Sequence, residues 1–394
     1  MNPSDLIPKV MQKGIIQLTQ DLIRIPSVSG NEKEIIHFLK QKMVDLGFKN
    51  VTIDEMGNLI GKMGDGKHSI LFDSHVDTVD VKDEDQWAIP PFNGELINGT
   101  LHGRGSVDMK SGTAASIYAV VLAASLGWIK DLSVYVSCTV IEEDCDGENL
   151  KHLFNELNLK PEMVIICEPS MNQICLGHKG KAQISIRTGG VSAHGSAPEK
   201  GVNAIYEMAE IIHRVEKRNL ELMKLPIPRP TLVLSRISSS SASLNAVPSE
   251  CEITLDRRII PGESMESIRQ EMDNLIDGKN ASWEIGTVHR KSWTGKEIVY
   301  KPLHPAWKIE MGHTLTQACR IAYQETFGSK ADRFAFWDFS TNAVTPVSMG
   351  IPTIGFGPGE YKQAHMRDEH IAIEDILNAC CYYTQLIKQL DSQH

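Results

Sequence analysis

A change of rhythm partway along the chain constrains the fold more than any other feature. As far as Gly180, short β-branched runs alternate with amphipathic stretches. "SILFDS" (69–74), "LSVYVSCTVI" (132–141) and "MVIICEPS" (163–170) have the length and branching of buried strands. "KEIIHFLKQKMVDLGF" (33–48) sets Ile35, Ile36, Leu39, Met43 and Leu46 at helical spacing, and "GTAASIYAVVLAASLGW" (112–128) is a small-residue helix suited to close packing on a sheet. This alternation predicts an α/β domain on a mixed, largely parallel sheet. Beyond Gly180 the order becomes strand (182–190), helix (203–219), two strands (231–238 and 249–259), helix (264–276) and strand (282–290). That is the β-α-β-β-α-β order of a ferredoxin-like α+β unit. From about residue 293 the first pattern returns, with a helix (313–328), the strand "PTIGFG" (352–357) and a last helix (373–390). The chain of 394 residues is longer than one hydrophobic core commonly supports. We therefore expect a discontinuous domain, 1–180 with 293–394, interrupted by an inserted unit, 181–292. The serine-rich "SRISSSSAS" (235–243) is expected to be a loop.

The ends of the first domain's apolar runs carry its chemistry. "SILFDS" runs into His75 and Asp77, "VYVSCTVI" into Glu142 and Glu143, "MVIIC" into Glu168, and "PTIGFG" is followed a loop later by His365. In open parallel sheets reactive groups gather beyond the carboxyl ends of the strands. So many acids with two imidazoles on one rim would repel one another unless a cation sat among them. Asp108 opens the small-residue helix after the glycine-rich "LHGRGSVD". A carboxylate there can cap the helix, or the glycines can let backbone approach a site.

Other classes are disfavoured. A net charge of -10 argues against a nucleic-acid partner. No run of eighteen apolar residues suggests a membrane span, and "MNPSDLIPKVMQKG" lacks the apolar region of a secretory signal. The eight cysteines form no CxxC pair, as expected of reduced thiols in a cytoplasmic protein. No GxSxG elbow occurs and no cysteine sits in a nucleophile setting, which argues against a serine or cysteine hydrolase.

The segments "SHVDTV", "WAIPPFNGELINGTLHGRGSVDMKSG", "IEED", "CEPS", "SAHGSAPEKGVNAI" and "AHMRDE" appear in the order seen in one family. The chain resembles the co-catalytic zinc hydrolases that include acetylornithine deacetylase, succinyl-diaminopimelate desuccinylase, aminoacylase and glutamate carboxypeptidase, over nearly its whole length. The resemblance implies a zinc-peptidase-like catalytic domain with an inserted lid and dimerisation domain. It implies two zinc ions, replaceable by cobalt or manganese. Asp108 would bridge them, with His75 and Glu168 on one and Glu143 and His365 on the other. His365 rather than His370 is the expected ligand, because "AH…DE" keeps the family spacing. Asp77 would hold the second nitrogen of His75, and Glu142 would be the general base. His194 would stabilise the developing oxyanion, supplied by the neighbouring subunit of a homodimer. Asn245 and Arg258 would grip the substrate carboxylate, and Gly357 in "GFGPG" would offer a backbone N–H. The implied activity is hydrolysis of an amide in an N-acyl amino acid, or in a short peptide by a di- or aminopeptidase. A non-catalytic protein on this fold is disfavoured, because Glu142 and every implied ligand are present.

Overall fold

The computed structural model describes residues 3–241 and 243–393. Its larger sheet has nine strands. The centre is formed by Leu132–Thr139, His68–His75, Met163–Ile166 and Thr353–Gly355, side by side and all parallel. Antiparallel strands flank this centre: Leu59–Met63 on Leu132–Thr139, and Cys175–His178 on Thr353–Gly355. The expected mixed sheet is therefore parallel where the reactive residues leave it and mostly antiparallel outside, although Ala335–Trp337 runs parallel to Cys175–His178. Ile70, Leu71, Phe72, Val134, Val136, Val164 and Ile165 are fully or almost fully buried, as in a sheet covered on both faces.

The helix Ser111–Ser125 is apolar nearly all round and its residues are almost all buried. Such a helix has no solvent face to keep polar. It packs on the C-terminal helix Ile373–Asp391 and on Lys9–Arg24.

The chain from Gly180 builds a second sheet in the spatial order Thr231–Ser240, Glu250–Ile259, Gly180–Gly189, Ala281–Ile285, every neighbour antiparallel. In chain order that is 2-3-1-4, the ferredoxin-like arrangement. The helices Ala204–Leu222 and Met265–Ile276 bury Met208, Ile211, Ile268 and Met272 with Ile184, Ile186 and Ile253 in a core separate from that of the larger sheet.

Two local expectations fail. The serines expected to form a loop continue a strand as far as Ser240, because each residue from Arg236 pairs with the strand Glu250–Ile259. The edge position leaves their side chains exposed, so weak strand propensity is overridden by pairing. "SWEIGTVHR" is two strands rather than one. Gly286 separates Ala281–Ile285 from Val288–Lys291, which leaves the sheet to pair with Glu297–Tyr300. All eight cysteines are buried and unpaired. Among the described residues no helix is long and apolar enough to cross a membrane.

Candidate metal centre

Five segments deliver the site. His75 ends the central strand, and Val76 N–H still bonds Thr139 O at 2.9 Å. Glu142 and Glu143 leave the adjacent strand through a tight turn in which Ile141 has φ 56°. A β-branched residue in the left-handed region costs on the order of 1–3 kcal/mol and persists only where its surroundings hold it. Glu32 Oε1 accepts Ile141 N–H at 3.0 Å, and the two Asp77 oxygens accept the N–H groups of Glu142 and Glu143 at 3.0 and 3.1 Å. Glu168 lies two residues beyond Met163–Ile166. Gly112 and Gly357 press against this exit, where an added Cβ would lie 2.5 Å from Cys167 O and 2.3 Å from Glu168 O respectively.

Asp108 makes no side-chain cap on its helix. Its carboxylate instead joins two imidazoles: Oδ1 lies 2.9 Å from His75 Nε2, and Oδ2 lies 3.2 Å from His365 Nε2. Beyond these, His75 Nε2 is 3.4 Å from Glu168 Oε1, and His365 Nε2 is 3.0 Å from Glu143 Oε2. Donor atoms of His75, Asp108 and Glu143, and of His75, Glu142 and Glu168, lie within 4.8 Å of one another, close enough to hold a cation. The five expected ligands and Glu142 thus meet around a cavity of about 260 Å³.

The protons of the cluster are displaced from their ordinary positions. Burial pushes Glu143 and Glu168 up to about 7, and Glu142 well above the usual carboxylate range. Hydrogen bonds to Asp108 and Glu143 push His365 up to about 10. Burial opposes charge on His75, but Glu168 and Asp108 raise it regardless. Burial likewise opposes ionisation of Asp108, yet hydrogen bonds from His365 and His75 hold it below its usual value. Oxygen and nitrogen donors that share protons at these distances are a fitting donor set for divalent ions, whose binding takes the place of those protons.

Two expectations are corrected. Asp77 holds His75 through its main chain: Nδ1 is 3.0 Å from Asp77 O, while the carboxylate, at 3.6 Å, is too far for a hydrogen bond and is committed to the Glu142–Glu143 turn and to Ser29 Oγ at 2.7 Å. Gly357 cannot offer its N–H to a substrate, because that group is buried and donates to Ser170 Oγ at 3.0 Å. Its lack of a side chain lets the loop pass against Glu168. His194 and Asn245 do not line the cavity in one chain. They lie together on exposed loops of the smaller sheet, where His194 pairs with Ala246 and Gly195 N–H bonds Asn245 O at 2.6 Å. Arg258, by contrast, lines the cavity, and His370 lies outside it, stacked on His102.

Sequence reasoning missed Glu369. It is fully buried and bonds Arg104 Nη1 at 2.7 Å. It also accepts the N–H groups of Gly105, Val107 and Asp108 at 3.1, 2.7 and 3.1 Å, which fixes the loop that presents Asp108. Its one visible signal was its place in "RDE" (367–369) after His365. Lys181 was missed as well and also lines the cavity.

The sequence pattern of Peptidase family M20/M25/M40 matches residues 71–389, the span that contains every one of the expected ligands. The chain belongs to this family. As an M20 protein it is a metal-binding hydrolase of amide or peptide bonds. It is 34% identical to "Uncharacterized protein YgeY" of Escherichia coli (strain K12) over 96% of this chain and 94% of that protein. It is 28% identical to an acetylornithine deacetylase of Buchnera aphidicola over 93% of this chain and 98% of the relative. In fold it is similar to a tripeptidase from Staphylococcus aureus, with a TM-score of 0.75 and 21% identity over 97% of this chain and 99% of the other.

Proposed function

We propose that this M20 protein is a two-metal deacylase that cleaves the amide of an N-acyl amino acid, as the acetylornithine deacetylase relative does by its name. The observation that carries the reading is the position of Asp108, whose two oxygens each face a different imidazole. A carboxylate so placed suits a bridge between two ions. His75, Asp108 and Glu168 would hold one and His365, Asp108 and Glu143 the other. Zinc suits these ligands, and cobalt or manganese would also fit. When bound, such ions supply Lewis acidity that makes a water more acidic and a carbonyl more electrophilic.

The chain's own residues do the rest. Glu142, buried beside the cluster but outside the proposed ligand set, takes a proton from the attacking water and gives it to the leaving amine, a role worth roughly 10²–10⁴-fold. Asp77 fixes the backbone from which Glu142 projects. Arg258 binds the substrate carboxylate, for which its planar fork is suited. His194 and Asn245, exposed and side by side, are supplied by a second copy of the chain, with His194 donating to the developing oxyanion. The smaller sheet thus acts as lid and dimerisation unit, and the setting is the cytoplasm.

The test is to measure metal content and release of acetate from N-acetyl amino acids before and after chelation. Activity should vanish with the metal and return with zinc, cobalt or manganese. Full turnover in metal-stripped protein would overturn the reading.

A further inference from the structure

Lys181 and Arg258 are direct partners across the antiparallel pair Gly180–Gly189 and Glu250–Ile259. Like charges so placed repel each other and weaken the pairing. Both side chains line the cavity that holds the metal cluster. Arg258 donates Nη2 to Asp256 Oδ2 at 3.1 Å and sets Nε 2.9 Å from Asp256 Oδ1 in an ion pair, and its Nη1 has no hydrogen-bond partner among the described residues. The carboxylate nearest Lys181 is Asp146, with Nζ 3.5 Å from Oδ1. That is well beyond the usual 2.7–2.9 Å of a charge-assisted bond, so the three ammonium donors remain largely unspent. A third donor lies in the same wall: Ser340 Oγ is buried, the residue being 9% exposed, and has no partner among the described residues. A buried hydroxyl without a partner is uncommon unless something binds there.

We infer that Lys181 and Ser340 form a subsite for a second carboxylate beside the one held by Arg258, so that the substrate is an acylated amino acid bearing two carboxylates. The inference rests on the deacylase reading for its reaction but not for its binding. One carboxylate engages Arg258 through its free Nη1 edge. The other takes Lys181 and the Ser340 hydroxyl, and so relieves the repulsion across the strand pair. The second carboxylate can belong to the amino acid or to the acyl group.

Three substrates separate these sources in the metal-loaded protein: N-acetyl-L-alanine with one carboxylate, N-acetyl-L-glutamate with its second on the amino acid, and N-succinyl-L-alanine with its second on the acyl group. One of the dicarboxylates should show kcat/KM at least about tenfold above N-acetyl-L-alanine, as one further charged hydrogen-bonded contact implies. Lys181→Met should cut that ratio about tenfold, mainly through KM, and Lys181→Arg should restore most of it. A second measurement needs no turnover: glutarate should bind at least tenfold more tightly than butyrate by calorimetry, and Lys181→Met should erase the difference. If the protein hydrolyses acyl amino acids with no dicarboxylate preference, or if Lys181→Met leaves the ratio unchanged, the subsite is refuted and Lys181 only balances Asp146. If no amide is hydrolysed but glutarate still binds through Lys181, the deacylase reading falls and the subsite stands.

Discussion

The Asp77 carboxylate accepts the N–H of Glu142 at 3.0 Å, so the group that orders the proposed general base approaches it from the neighbouring strand's exit and not from its own. The same carboxylate holds Glu143 at 3.1 Å. Asp77→Asn keeps the size but can present one acceptor oxygen where the turn uses two. We expect kcat to fall about 10–100-fold, the usual consequence of losing a group that supports a metal ligand. Metal analysis beside steady-state kinetics checks this, and an unchanged kcat would refute the role.

Glu142→Gln should retain the metal and lose about 10²–10⁴-fold in turnover, since an amide cannot accept the proton from water. His194→Ala should also slow turnover with metal unchanged. Mixing the two inactive proteins under conditions that exchange subunits should recover activity, because some hybrid dimers pair an intact Glu142 with an intact His194. No recovery after verified exchange would place His194 within its own chain's site.

Glu369→Ala would leave Arg104, itself 5% exposed, buried without its partner and three N–H groups of the Asp108 loop unsatisfied. Breaking a buried pair in this way costs about 3–5 kcal/mol. Urea unfolding should show that loss, and metal affinity should fall with it as Asp108 loses its support.

Gly357→Ala would set a methyl group 2.3 Å from Glu168 O and 2.4 Å from Cys167 O. Both contacts are with backbone, which cannot swing aside. The variant should lose metal affinity as Glu168 is displaced, which equilibrium dialysis measures. Wild-type affinity would show that the loop moves instead.

His178 is buried, and burial lowers it to about 3. Its Nδ1 accepts Thr341 N–H at 3.0 Å, which requires the neutral ring. The unfolded chain protonates this imidazole near its ordinary value of 6.5. Between pH 6.5 and 3 the unfolded state therefore binds more protons, and the contribution to stability, complete above 6.5, declines as pH falls. From pH 7 to 5, wild-type protein should lose about 2 kcal/mol more than His178→Gln. Urea midpoints at both pH values give the comparison, and parallel losses would contradict it.

Much of the site was legible because strands that end side by side in a parallel sheet put their next residues on one rim. His75, Glu142, Glu143 and Glu168 follow directly from that rule. Asp108 was visible through its glycine-rich approach, although its alternative as a helix cap could be set aside only once its two oxygens were seen to face His75 and His365. Lys181 and Ser340 carry no spacing signature, and only register and cavity shape bring them to the cluster. Glu369 stabilises a loop more than 250 residues away in sequence, a long-range link that local pattern does not encode. Gly357 was misassigned for a related reason: its N–H is spent on Ser170, a partner 187 positions distant. The serines before Ser240 read as a loop because their preference is judged alone, whereas the neighbouring strand decides.

Lys181 and Arg258 project from the smaller sheet, whereas the cluster they face projects from the larger. On the proposed assignments, the cationic groups that would select a substrate and the metal cluster that would cleave it lie on separately packed bodies of the same polypeptide, with Ser340 and His194 as the exceptions. Drift in the first can retune which molecules are accepted while the second stays untouched, a modularity by which one cleaving apparatus could serve many metabolic ends.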